Sequence, residues 1–188
     1  MSVLVLTVDQ RDSRTSSDLV PGAVAALADV AMLRPFEQTV GDEIQGVLDD
    51  PAALPAAVEV LLREEVWHIG IGVGDVEDPL PRHARSGRGP AYLNARQAVT
   101  TAKSSPWHLR VVASEPVDPA ARALETTLWL WAAVLARRTA RGWEVADLVA
   151  EGLSYDDVSQ RLGITPSAVS QRAAAAGIVE SRRARELA

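Results

Sequence analysis

The sequence has no cysteine, which excludes disulfides, thiolate metal sites and cysteine nucleophiles. It has no long apolar run either. The longest, Leu128 to Ala136, falls far short of the roughly 20 residues that span a bilayer. The opening MSVLVLTVDQ lacks a basic leader and a small-residue cleavage site, so no signal peptide is expected. No segment has the composition of a disordered tail. These absences predict a cytoplasmic protein with no membrane partner.

Positive charge is the other shortage. The 188 residues carry a formal net charge of −6, and the deficit is local. Residues 1–117 hold 10 basic and 16 acidic side chains, whereas residues 118–188 hold 9 of each. The neutral part contains basic clusters at Arg137, Arg138 and Arg141, at Arg172, and at Arg182, Arg183 and Arg185. An acidic total is thus compatible with a locally basic nucleic-acid face. It argues against strong non-specific DNA binding by the whole chain, because phosphate neutralisation supplies most of that affinity.

The length suits one domain with an appendage or two compact domains, and the pattern divides at 117/118. Val3 to Val8 is an apolar, β-branched run closed by Asp9, which predicts a buried strand. Ser16, Ser17 and Asp18 could cap a helix to about Ala31, buried through Leu19, Val24, Leu27 and Val30. PFEQTVGDEIQGVLDD predicts a hairpin turning at Gly41 and Asp42. A helix over Pro51 to Glu65, a strand at VWHIGIGVG, a polar loop over 75–89, a helix from Pro90 to Lys103 and a strand at HLRVVAS follow. The order β-α-β-β-α-β, then α-β, predicts an α+β domain of ferredoxin-like (palm-type) architecture over residues 1–117. SEPVDPA, 114 to 120, reads as a linker. Residues 118–188 read as all-α: a long helix from about Pro119 to Arg141, then three short ones ending near Ala176.

GITPSAVSQR, residues 163 to 172, has the pattern of a helix-turn-helix. Tyr155 to Leu162 predicts the first helix, with Val158 and Leu162 inward. Gly163 supplies the positive φ of the turn, Ile164 plugs the core beneath it, Thr165 caps the next helix and Pro166 fills its first turn. Small Ser159 allows a close crossing, and Val169 points inward. That leaves Ser167, Ala168, Ser170, Gln171 and Arg172 outward, where a recognition helix presents its contacts, with Thr165 beside them. Gln can bond adenine bidentately, Arg can bond guanine, and Ser can hold phosphate. Ala173 stands where such helices usually carry a larger apolar residue.

The chain resembles the SatD family of bacterial proteins through TVDQRDSR, FEQTVGDEIQG, IGIGVG, SGRGPAY and GLSYDDVSQRLGITPSAVSQR. The first segment departs from the commoner Gly-Asp-Ile form, with Val8, Asp9 and Gln10 in its place. The family implies a DNA-binding regulator of poorly defined activity. The N-terminal part also resembles the palm-type fold of class III nucleotide cyclases, which place one aspartate at the end of the first strand and another in a hairpin turn. Here these would be Asp9 and Asp42, and two such carboxylates suit Mg²⁺ with a bound nucleotide. Both are also ordinary structural aspartates, one closing a strand and one making a turn. The cyclase helix carries an Asn followed four residues later by an Arg. Here Ala98 follows Asn94 at that spacing and Arg96 is misplaced, which argues against turnover.

Other features point less sharply. GIGVG lacks the dinucleotide spacing and reads as a strand ending in a close-packed turn. His68, His83 and His108 are far apart in sequence, without metal-ligand spacing. Arg82, Arg85 and Arg88 could hold phosphate from their loop, or simply be solvated. LWLWAAVLA, from Leu128, is apolar on every face, whereas a surface helix needs one stripe. Either the palm-like domain or a second copy must cover the remainder, with Trp129 and Trp131 as anchors of a homodimer. The leading expectation is a DNA-binding regulator with a sensing or assembly domain. The alternatives are a nucleotide-binding or degenerate cyclase-like enzyme with an accessory helix-turn-helix, and a pure interaction protein.

Overall fold

The computed structural model describes residues 1–114 and 117–188. The fold is mixed α/β. Five strands, β1 (Ser2–Gln10), β2 (Arg34–Gln38), β3 (Glu43–Leu48), β4 (Trp67–Asp75) and β5 (Leu109–Ala113), form one sheet in the order β2-β3-β1-β4-β5. β5 runs parallel to β4, and every other pairing is antiparallel. Between the strands lie α1 (Val20–Ala26), α2 (Leu54–Glu64) and α3 (Pro90–Ala102). After them come α4 (Asp118–Leu135), α5 (Ala140–Ala150), α6 (Tyr155–Leu162), α7 (Pro166–Ala175) and α8 (Ile178–Leu187). The chain divides into two compact units, Met1–Trp129 with Ala188, and Leu130–Leu187. Among the described residues no helix is long and apolar enough to cross a membrane.

In β1 every residue from Val3 to Val8 is buried, so both faces of the sheet are covered. Register puts Leu6 beside Ile71 and Gly46, and Val8 beside Ile69 and Ile44, and these six line one face. Alternation sends Val5, Thr7 and Asp9 to the other face, with Gln45 and Glu43 opposite Thr7 and Asp9. Helix α3 lies on that second face. A Cβ at Gly70 would run into the backbone of Val99, and one at Gly72 into the backbone of Ala91 and Ala95. These glycines stand within the strand expected at VWHIGIGVG, and their missing side chains let a helix lie directly on the sheet. Asn94 is part of this seam, since its amide donates to the Val73 carbonyl at 2.8 Å.

Several boundaries differ from the sequence expectation. α1 is one short helix over Val20–Ala26, buried through Val20 and Ala23. Asp18 accepts the Val20 N–H at 3.0 Å, and Pro21, which suits only a first turn, fixes the start. α4 stops at Leu135 because Thr139 turns extended and its hydroxyl accepts the Gly142 N–H, opening α5. Its inward stripe runs through Ala121, Glu125, Leu128, Ala132 and Leu135. α8 lies beyond the three short helices expected; Gly177, at φ +61°, ends one helix and good helix formers follow. Of the linker expected at 114–120, residues 115 and 116 lie outside the described residues, and α4 begins at Asp118.

Candidate functional site

Beside α3, above the start of β3, the sheet unit carries a cleft of about 920 Å³. The floor comes from the strands: Asp9 at the end of β1, and Glu43 and Gln45 on β3. The β2–β3 turn adds Thr39, Val40 and Asp42, and the loop after β4 adds Glu77, Arg85 and the Gly87–Gly89 segment. Helix α3 completes it with Tyr92, Leu93 and Arg96. Four residues singled out in the sequence, Asp9, Asp42, Arg85 and Arg88, thus meet in one place. Arg82 does not join them; it lines a separate groove with Leu33, Arg34 and His83.

Two of the carboxylates are already matched. Asp9 lies 2.8 Å from the Lys103 ammonium. Glu43 takes Arg96 in a two-point contact at 2.8 and 3.4 Å and accepts the Thr39 hydroxyl at 2.7 Å. Neither Lys103 nor Arg96 is marked for this role by the sequence pattern. Helical spacing could have linked them, since Lys103, the residue that follows α3, stands seven positions after Arg96. The side chains of Asp42, Glu77, Arg85 and Arg88 have no hydrogen-bond or ion-pair partner among the described residues, though Arg85 feels the field of Glu37.

The basic loop is held in place rather than free. Arg34 donates to the carbonyls of Pro81, Leu80 and Leu33 at 2.6, 3.1 and 2.8 Å. Glu37 accepts the Arg85 N–H at 3.0 Å and lies 2.9 Å from His83 Nδ1. Burial works to raise the Glu37 pKa, and these two partners outweigh it, holding the carboxyl below its ordinary value. The Glu77 N–H donates to the Arg88 carbonyl at 2.9 Å. Gly87 rests on Tyr92, whose ring would collide with any Cβ there. The Tyr92 hydroxyl is buried without a partner, and burial pushes its pKa up.

The Asp9 carboxylate expected to take Mg²⁺ already has a cation beside it. Lys103 already occupies Asp9, so Mg²⁺ on Asp9 and Asp42 would have to displace it. Among the described residues no group of three or more His, Asp or Glu side chains is placed to hold a metal ion.

Near the same strand ends, two histidines distant in sequence come together. The rings of His68 and His108 stand edge-on with centroids 5.0 Å apart, and both Nδ1 atoms are buried without a partner. Trp107 and His108 both hold positive φ, at 58° and 50°, an uncommon backbone for side chains of this size. Burial lowers the His68 pKa, His108 and Lys103 lower it further, and Asp9 opposes them.

In the second unit, α5, α6 and α7 close on Val145, Val158, Val169 and Ala173. Gly163 has φ +63°, the Ile164 N–H donates to the Ser159 carbonyl at 3.1 Å, and the Thr165 hydroxyl accepts the Ala168 N–H at 3.2 Å. Thr165, Ser167, Ser170 and Gln171 are exposed, and Ala168 and Arg172 are half-buried. The small Ala173 is fully enclosed. In α4, Trp131 is 0% exposed and its indole N–H donates to Ser181 at 2.6 Å, while that of Trp129 donates to the Leu109 carbonyl at 2.8 Å. The Trp131 anchor expected for a dimer is thus covered within one chain, and Leu130, 67% exposed, is the large apolar residue left outward on α4.

Comparison with protein-family models, with curated proteins and with solved structures gave no match.

Proposed function

We propose that this chain is a sequence-specific DNA-binding protein, a transcriptional regulator in which α6 and α7 form a helix-turn-helix. The observation that carries the reading is the outward face of α7. Its inner side is locked by Val169 and Ala173, its start is fixed by Gly163 and Thr165, and Ser167, Ser170 and Gln171 are left in solvent. A helix held this way presents its first turns to a major groove. Local neutrality with basic clusters, within an acidic chain, favours base readout over phosphate affinity. Replacing Gln171 and Arg172 by Ala removes the two side chains able to bond a base edge at two points. Selective binding weakens by about 1–3 kcal/mol for each of these side chains removed, while helical content stays unchanged. An unaltered footprint from the double variant overturns the assignment of this face.

A single reading helix covers a half-site of a few base pairs, so a homodimer placing two copies about 34 Å apart belongs to the proposal. So does membership of the SatD family. The strand order β2-β3-β1-β4 with antiparallel neighbours supports a ferredoxin-like, palm-type sheet unit, extended by β5.

A second reading, a nucleotide-binding or degenerate cyclase-like protein, is favoured by one observation: Asp9, Asp42, Arg85 and Arg88 line a single cleft. The two readings combine if the sheet unit receives a ligand and the helical unit reads DNA.

A further inference from the structure

Taking the sheet unit as a ligand receiver, we propose that its cleft binds the phosphate group of a small molecule directly through Arg85 and Arg88, with no bridging metal ion. The sorting of charge on the cleft carries this. Of the cations on or beside it, Arg96 is matched to Glu43 and Lys103 to Asp9. The Arg85 and Arg88 guanidinium groups alone are left without a contact partner among the described residues. Unpaired guanidinium groups on a concave wall match the planar, two-point geometry in which Arg holds phosphate oxygens.

The wall that carries them is already ordered. Glu37 holds the Arg85 N–H, Glu77 holds the Arg88 carbonyl, and Gly87 lies on the Tyr92 ring. Little backbone freedom therefore remains to be given up on binding. Magnesium commonly joins a phosphate to carboxylates, but here the Lys103 ammonium takes that position on Asp9. The phosphate must then be met by guanidinium groups.

The unpaired carboxylates of Asp42 and Glu77 define the other end of the ligand. They repel a second anionic group and accept hydrogen bonds, so the body of the ligand carries hydroxyl or amino donors. Val40 and Leu93, 84% and 73% exposed, give it an apolar edge to cover. A cleft of about 920 Å³ lies within the range that encloses small ligands, roughly 300–1,000 Å³.

The test is calorimetry on the full chain with inorganic phosphate, pyrophosphate and ribose 5-phosphate, each in EDTA and in Mg²⁺. At least one probe should bind saturably in EDTA. Arg85→Ala and Arg88→Ala should each weaken it by about tenfold or more. Arg82→Ala, in the separate groove, should leave it unchanged, and circular dichroism should show all three variants folded. Saturable binding that requires Mg²⁺ and disappears in Asp42→Asn overturns the metal-free mode while keeping a ligand-binding cleft. Equal losses in all three arginine variants, or no binding of any probe, also overturn the proposal. DNA retardation by the same preparation reports on the DNA reading independently of every one of these outcomes.

Discussion

A Cβ at Gly72 would run into the backbone of Ala91 and Ala95, whereas one at Gly22 in α1 would meet nothing within 4 Å. The same substitution should therefore act with opposite sign at the two positions. Gly72→Ala is expected to destabilise the sheet unit by about 1–3 kcal/mol or more, because α3 must be pushed off the strand. Gly22→Ala should stabilise by about 0.5–1 kcal/mol, through helix propensity and a less flexible unfolded chain. Urea denaturation of both variants measures the difference. His68 makes a second residue-scale prediction. Its pKa in the folded protein lies below the ordinary imidazole value, first because of burial and then because of His108 and Lys103. The unfolded chain thus binds this proton more readily, and the contribution of His68 to stability falls as pH drops through about 6.5 toward the lower folded value. Melting temperature should decline between about pH 7.5 and about pH 5.5, and His68→Phe should flatten that decline. An unchanged slope would return the pair to inert packing.

The turn between α6 and α7 shows what a single element boundary contributes. Gly163 holds φ +63° in open space, so Gly163→Ala meets no clash and costs only the left-handed backbone, about 1–2 kcal/mol. Thr165→Ala removes the cap on α7 and should cost about 1 kcal/mol. Thermal unfolding of the second unit checks both. This boundary was legible in the sequence because Gly, Ile, Thr and Pro each have a local role that spacing alone reveals. The succession of strands and helices along residues 1–113 was legible for the same reason, since apolar runs and turn residues alternate plainly. The order β2-β3-β1-β4-β5 within the sheet was not. What escaped was non-local. Gly70 and Gly72 gave no sign that a helix lies directly on them, because Ala91, Ala95 and Val99 lie some twenty to thirty residues onward. Lys103 and Arg96 carry no mark in the sequence because their partners, Asp9 and Glu43, sit on strands distant from them along the chain. The His68–His108 pair exists only once β4 and β5 lie side by side. α4 read as one long helix because its apolar run gives no stop signal, and only the Thr139 cap ends it.

For the whole molecule, the DNA-binding proposal predicts assembly as well as recognition. Trp131 is enclosed, so a glutamate there would test folding rather than association. Leu130 is the informative position. Light scattering at micromolar concentration should give a mass near twice 20.1 kDa, reduced toward the single-chain value by Leu130→Glu. A wild-type mass near 20.1 kDa would reject the dimer. Whether the exposed face of α7 reads base sequence is decided by selecting DNA fragments from a random pool with the purified protein and sequencing what is retained. The expected result is an enriched pair of half-sites in inverted repeat about one helical turn apart, no longer enriched by the Gln171→Ala, Arg172→Ala double variant. A pool that returns unenriched, or one enriched equally by that variant, would contradict the assignment of α7 as a reading helix.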